Sequence, residues 1–436
     1  MITNEMVVRI DGKDKYQIEN EFIDYNLDDN TIFTYTFWDK KLVIFPNFFS
    51  EEGLDLFYIS LAVFGADRIL LREHGENAWK RDIKLHLPVL SLEKWQRNKE
   101  LMESILNFLS GDKWELVFRK RELTAKEEEV KKEIEHTEEK YEYDNLCMFS
   151  GGLDSFIGVI DAIENFPSEK FLFVSHYGGG KGVKEYQDAL LTSLNNIYNL
   201  ENSAFYNFYA SARKGIEDTT RTRSLMFFAH AILLGTTMRK RMKLIIPENG
   251  LISLNIPLTN SRLGSSSTRT THPYYMELLQ KLLVNLSIDI ILENPYQFKT
   301  KGEMIEECKN IDLLKENIAN TMSCSHPDLG RLHGESETAH CGTCLPCVIR
   351  RASIKKANIT DTSIYRDLYF ESGPTARMNL MSYNIGLQKY NKKYSFISIQ
   401  NSGPISKNIP EFIKVYDRGM GELKDLLEII NGKILL

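Results

Sequence analysis

Met148-Phe149-Ser150-Gly151-Gly152-Leu153-Asp154-Ser155 joins an apolar run to a helical pattern through two glycines. It continues the apolar run Leu146-Cys147-Met148-Phe149, the length of a buried parallel strand. It leads into Phe156, Val159, Ile160 and Ile163, which are apolar at helical spacing. The pattern predicts strand, glycine turn, helix. Two adjacent glycines let the backbone approach an anion closely, and the exposed N–H groups and positive helix end favour a phosphate there. Ser150 and Ser155 add hydroxyl donors, and Asp154 is placed to hold magnesium through oxygen. No Gly-Lys-Ser/Thr ends the turn, so it is not a Walker loop.

Working outward, apolar runs at 170–176, 204–209, 243–247 and 288–292 alternate with helical or loop sequence. This rhythm predicts an α/β, doubly wound parallel sheet over residues 145–320, with ligands at the carboxyl ends of its strands. The residues that follow each strand are therefore candidates. After the second strand come His176 and a glycine-rich run, Gly178-Gly179-Gly180-Lys181. Arg221 and Arg223 open a later helix, within a stretch from Arg213 to Lys243 that carries eight Lys or Arg against Glu217 and Asp218. After the fourth strand a polar segment of about 25 residues holds Glu248, Asn249, Asn255, Arg262, Ser267, Thr268, Arg269 and His272. A loop of that length is unusual in a compact domain unless it is functional. Glu248 or Asn255 can accept from ring N–H groups, and Arg262 or Arg269 can hold a carboxylate or phosphate.

The first 120 residues form a separate α+β expectation, with strands at 6–10, 31–37 and 42–45, an extended piece at 84–89, and helices at 52–64 and 92–109. Trp79, Trp95 and Trp114 are read as core before recognition surface. Residues 121–144 are dense in Lys and Glu and are expected to be a solvated linking helix. Residues 356–436 show little pattern after 370.

Of the six cysteines, Cys324, Cys341, Cys344 and Cys347 fall in one segment (321–355), while Cys147 and Cys308 stand alone. Thiolates spaced Cys-x₁₆-Cys-x₂-Cys-x₂-Cys suit a closed tetrahedral site, with Zn²⁺ the usual occupant and an iron–sulfur cluster the competing one. Such clustering points to metal before disulfide and to a reducing compartment. A formal charge of −6, with 42% hydrophobic and 26% charged residues, describes an ordinary soluble protein and does not favour nucleic acid as the main partner. Met1 to Glu21 has no apolar signal core and no run is long enough for a bilayer. A cytoplasmic protein without membrane attachment is the expectation.

Ser150-Gly151-Gly152-Leu153-Asp154-Ser155 resembles the Ser-Gly-Gly-x-Asp-Ser signature of the PP-loop ATP pyrophosphatases. With Tyr177-Gly178, Glu185, Thr300-Lys301-Gly302-Glu303, the four clustered cysteines and Arg350, residues 145–355 resemble the QueC-type 7-cyano-7-deazaguanine synthases. The resemblance implies an adenine-nucleotide α-hydrolase fold with ATP, Mg²⁺ and Zn²⁺. Ser150 to Ser155, His176 and Arg223 would hold the nucleotide, and Asp154, Ser155 and Lys301 would stand at the chemistry. Family enzymes convert 7-carboxy-7-deazaguanine through an amide to the nitrile. This chain departs from them at Arg223-Ser224, in the Ser/Thr/Arg loop, and by its N-terminal module. There it is more similar to QueC-like proteins of Qat- and CBASS-type anti-phage systems. That implies adenylation of a deazaguanine carboxylate and its transfer to an amine of a defence-operon partner protein. Nitrile synthesis and tRNA modification are the alternatives.

Overall fold

The computed structural model describes residues 4–38, 40–76, 79–177, 181–213, 215–217, 219, 221–258, 269–328, 330, 334 and 338–434. Strands β1 (Glu5–Arg9), β2 (Ile23–Asn26), β4 (Asp82–Val89) and β5 (Lys113–Lys120), with β3 (Phe33–Tyr35) lying apart, come from the first 120 residues. Four of them form a parallel sheet in the order β2-β1-β4-β5. The second sheet contains β6 (Asn145–Met148), β7 (Phe171–Tyr177), β8 (Phe205–Ala212), β9 (Met242–Ile245) and β10 (Ile290–Glu293). Its order is β10-β9-β6-β7-β8-β3, parallel except for β3, which pairs antiparallel with β8 at the edge. In β7 every residue from Phe171 to His176 is buried, as a parallel strand covered on both faces requires.

The helices of the first region are α1 (Glu51–Ile69), α2 (Leu92–Arg97), α3 (Lys99–Ser110) and α4 (Ala125–His136). The second sheet is wrapped by α5 (Leu153–Asn165), α6 (Lys181–Tyr198), α7 (Arg223–Thr236), α8 (Gly250–Leu254) and α9 (Pro273–Asn285). Beyond it lie α10 (Lys301–Glu306), α11 (Ile311–Asn317), α12 (Leu345–Lys356), α13 (Pro374–Lys389), α14 (Ser395–Ser402) and α15 (Ile409–Ile434). The architecture is mixed α/β with parallel sheets. No helix among the described residues is long and apolar enough to cross a membrane.

Composition suggested a break after residue 120, but packing runs straight across it. β3 closes the edge of the second sheet, α1 lies along α7, and one apolar core extends from Met6 to Ile290. Helix α1 is buried continuously from Gly53 to Asp67 and is apolar all round, which fits an element enclosed on every side. Its buried acids are matched. Asp55 accepts from the amides of Leu90 (2.7 Å) and Ser91 (2.9 Å) and from the Trp95 indole (3.0 Å). Asp67 pairs with Arg81 (2.5 Å) and Arg72 (3.3 Å), and it accepts from Thr219 (3.2 Å) and Thr222 (3.0 Å) at the entry to α7. Asp112 completes the group, 2.6 Å from Arg81 and 2.8 Å from Arg72.

Four expectations change. Residues 42–45 form a tight turn instead of a strand, because Leu42 and Phe45, three apart, both point into the core. The helix expected over 92–109 is divided at Asn98, whose side chain bonds back to the Lys94 carbonyl (2.9 Å). The charged segment is not wholly solvated. Thr124 and Glu127 form a capping box that starts α4, and Glu127, Val130 and Ile134 are buried, with Arg121 on Glu127 at 2.7 Å. Finally, residues beyond 370 are largely helical and build an apolar core together with Leu254 of α8 and Val348, Ile349 and Ala352 of α12.

Asp67→Ala leaves the buried Arg81 and Arg72 with Asp112 as the one remaining carboxylate of the group and removes the anchor of α7. A loss of about 3–5 kcal/mol in urea denaturation is expected, with the first 120 residues and the second sheet still unfolding in one transition. Two separated transitions in the unmodified chain would contradict the shared core.

Candidate functional site

The turn after β6 is built around the Ser155 hydroxyl. Ser155 Oγ accepts from the Ser150 amide (3.2 Å), lies 3.1 Å from Ser150 Oγ and donates to the Gly152 carbonyl (2.9 Å), while the Gly152 amide reaches Ser150 Oγ (3.3 Å). Gly151 has φ +81°, and a Cβ there would stand 2.8 Å from Gln187 Cγ, so both torsion and space require glycine. The first amides of α5 have no acceptor within the helix and surround this turn. The Ser150 and Gly152 amides and both hydroxyls are spent within the turn, which leaves the first amides of α5, at the positive end of the helix, as the donors an anion could use.

The second observation joins residues far apart in sequence. Lys301 Nζ, on the first residue of α10, is 3.1 Å from Asp154 Oδ1, and both side chains are more than nine-tenths buried. Asp154 Oδ2 accepts from the Asn249 side chain (2.7 Å) and amide (3.3 Å). Burial opposes ionisation of Asp154, but the Lys301 ammonium and hydrogen bonds from Glu248 and Asn249 outweigh it and hold the carboxyl below its usual range. Glu248 moves the other way. Burial, and then the charge of Asp154 beside it, push its carboxyl well above the ordinary range. Asn249 also caps α8, accepting from the Ile252 amide (3.1 Å), and Asn294 holds the Glu248 carbonyl (2.9 Å).

Two further expected nucleotide ligands lie at neighbouring strand and helix ends. His176 is buried at the end of β7 with its Nε2 unpartnered, and burial, then Arg223 and His230, hold its imidazole neutral. Arg223 is exposed at the start of α7. Arg221 does not join them. It donates to the Ser110 carbonyl (2.7 Å) and lies over Trp79 (4.7 Å), binding α7 to the N-terminal region.

The expected substrate segment separates into parts. Glu248 and Asn249 stand at Asp154. Asn255 closes α8 in a left-handed conformation (φ +49°). Arg262, Ser267 and Thr268 lie outside the described residues. Arg269 and His272, read as substrate ligands, are instead taken up in packing. Arg269 donates to the Phe108 carbonyl (2.5 Å) and covers that ring (4.3 Å). His272 caps α9 through the Tyr274 amide (3.2 Å) and meets Ser402 Oγ at 3.1 Å. Both imidazole nitrogens are thereby used, and burial, then Arg269, lower its pKa to about 3.

Cys324, Cys341, Cys344 and Cys347 do converge, their sulfurs all within 4.8 Å of one another. Cys324–Cys344 and Cys341–Cys347 are each separated by 3.9 Å. A tetrahedral ion with Zn–S bonds near 2.3 Å needs S···S edges of roughly 3.8 Å, so the four thiols can hold one ion such as zinc. The amides of Cys341 and His326 point at Cys324 Sγ and that of Cys344 at Cys341 Sγ, each at 3.3 Å, which suits thiolate charge. The cluster also reaches the Ser150–Ser155 turn, because Met322, two residues before Cys324, donates its amide to the Gly151 carbonyl (2.8 Å). Buried Arg350 fixes that strap through Thr321 Oγ1 (2.6 Å) and the Ile318 carbonyl (2.7 Å). The lone thiols of Cys147 and Cys308 are buried, and burial pushes both up, Cys308 to about 12, so neither is an activated nucleophile.

Gln187 was not expected. Fully buried in α6, its Nε2 donates to the carbonyls of Ser150 (3.0 Å) and His176 (3.1 Å), tying together the ends of β6 and β7. The one sequence signal was a polar residue on the apolar face of α6. No family model matches the chain, and no curated protein matches it.

Elemental analysis of the purified chain is expected to find about one zinc per chain, with Cys344→Ser losing it. Because Met322 links the cluster to Gly151, stripping the metal should also speed amide exchange across residues 150–155. Unchanged exchange after complete metal loss would disprove that link. Gly151→Ala is expected to cost about 1–3 kcal/mol by denaturant titration, from the positive φ and the Gln187 contact.

Proposed function

We propose that this chain is an ATP-dependent PP-loop enzyme that adenylates the carboxylate of a 7-carboxy-7-deazaguanine-like heterocycle and passes the acyl group to nitrogen. The observation that carries the reading is the meeting of the Ser150–Ser155 turn with Lys301, which supplies an anion cradle beside a buried cation and carboxylate. In the first step a carboxylate oxygen attacks the α-phosphorus of ATP and the bond to pyrophosphate breaks. In the second a nitrogen nucleophile attacks the acyl carbon, and AMP leaves with one of the carboxylate oxygens.

The first amides of α5 would receive the departing pyrophosphate, Lys301 and Arg223 would neutralise charge, and positioning would supply most of the rate. Asp154 and Glu248 would offer carboxylate oxygens to a hard divalent cation once Glu248 gives up its proton and Lys301 turns from Asp154 to phosphate. They would hold Mg²⁺, which when bound neutralises phosphate charge. Neither Cys147 nor Cys308 is needed as a nucleophile.

We assign the activity to anti-phage defence, with an amine of a partner protein as acceptor. What supports this is the departure from the biosynthetic pattern at Arg223-Ser224 and in residues 259–268, together with an N-terminal region that shares the core instead of hanging from it. The deazaguanine half of the site is assigned to the Glu248 and Asn249 side.

Incubation with ATP, Mg²⁺ and 7-carboxy-7-deazaguanine should release AMP and pyrophosphate. Lys301→Ala should lower that rate by about 10²–10³-fold without loss of zinc. No turnover with this carboxylate or its amide would refute the substrate assignment. A co-expressed partner protein should gain the mass of one deazaguanine acyl group.

A further inference from the structure

The C-terminal residues contribute to the first turn of α10 from a distance. Thr300 caps that helix, accepting from the Glu303 amide (3.2 Å), while Glu303 returns its carboxylate to the Thr300 amide (2.8 Å). Both halves of this capping box are gripped by α15. Thr300 Oγ1 donates its proton to Glu422 Oε1, and Arg418 holds Glu303 through Nε–Oε1 (2.5 Å) and Nη2–Oε2 (3.1 Å). The same Arg418 Nη2 donates to the Phe298 carbonyl (2.8 Å), just upstream of the cap.

Gly302 shows how close the approach is. A Cβ there would meet Glu422 Oε1 at 2.7 Å and Lys356 Cγ at 2.8 Å. Glu422 is itself buried, and its other oxygen accepts from Ser353 (3.3 Å) on α12, the helix that carries Cys347. One carboxylate thus joins α15, α10 and the helix of the cysteine segment. A surface helix stabilised only by apolar packing has no need to bury an acid, and burying one costs free energy unless donors answer it. Here the donors are the cap of the helix that presents Lys301.

We propose that Glu422, assisted by Arg418, is a positioning residue for Lys301. The α15 helix fixes the direction of α10's first turn, and with it the 3.1 Å approach of Lys301 Nζ to Asp154. This rests on the reading that Lys301 serves the adenylation step, although the placement of Lys301 can be measured without any turnover.

The experiment compares the full chain with Glu422→Leu, Glu422→Gln and Arg418→Met. Each is labelled with an amine-acylating reagent and followed at Lys301 by peptide mass spectrometry, with Lys140 as a remote control. Lys301 should acylate at least about tenfold faster in Glu422→Leu, with Lys140 unchanged, as expected for a locally opened site. Glu422→Gln, which retains an acceptor for Thr300, should restore most of the protection. Arg418→Met, at a partly exposed position, should fall between the two and keeps the idea falsifiable if the leucine variant does not fold. In the pyrophosphate assay Glu422→Leu should lower kcat by about 10- to 100-fold with the ATP KM little changed, since small misplacements of a catalytic group cost rate. Native protection of Lys301 in Glu422→Leu and Arg418→Met would overturn the inference. Normal labelling effects with no turnover by the unmodified chain would refute the adenylation reading and leave the positioning role standing.

Discussion

An ammonium and a carboxylate placed together out of water persist only when the surrounding fold holds both, since either one left unpaired costs several kcal/mol. Lys301 and Asp154 are such a pair, and much of this structure can be understood as the means of fixing their two ends. Asp154 is fixed by the glycine turn that starts α5, by Asn249 at the head of α8, and by Glu248, whose carboxyl is pushed up by burial and by the charge of Asp154. Lys301 is fixed by a helix of only six residues, too short to hold its own direction. Its orientation is borrowed from α12 and α15, through Ser353, Glu422 and Arg418.

The cysteine cluster belongs to the same arrangement. A closed four-thiolate site has no open position for chemistry, and its contribution is to make a small, loop-rich segment rigid. That segment lies directly against the Ser150–Ser155 turn, through the Met322 amide and the Arg350 clamp. The N-terminal region is held by a buried charge group around Asp67, which reaches into the entry of α7 next to Arg223. The candidate site is therefore bounded by elements from the beginning, middle and end of the chain.

Local chemistry was the legible part of the sequence. The Ser150–Ser155 turn, the parallel strands and the cysteine spacing depend on residues close together in the chain, and each is found where its pattern pointed. What could not be read depended on contacts between distant segments. Arg269 and His272 carry the side chains of a substrate loop, but Phe108 and Ser402 claim them. The compositional change after residue 120 suggested a domain boundary, yet a continuous core crosses it. Helix α15 carries apolar residues at Phe412, Tyr416, Met420, Leu423, Leu427 and Ile430, but the charges between them left the segment without a legible pattern. Its buried Glu422 is indistinguishable in sequence from the exposed acids around it, because burial is set by Thr300, 122 residues away.

Attack of a substrate carboxylate on the α-phosphorus of ATP leaves an isotopic trace. With the substrate carboxylate labelled in ¹⁸O, a single turnover on the unmodified chain should place one labelled oxygen in the AMP released and none in pyrophosphate. AMP without label, or label recovered in inorganic phosphate, would contradict adenylation and with it the account of why Lys301 and Asp154 are brought together.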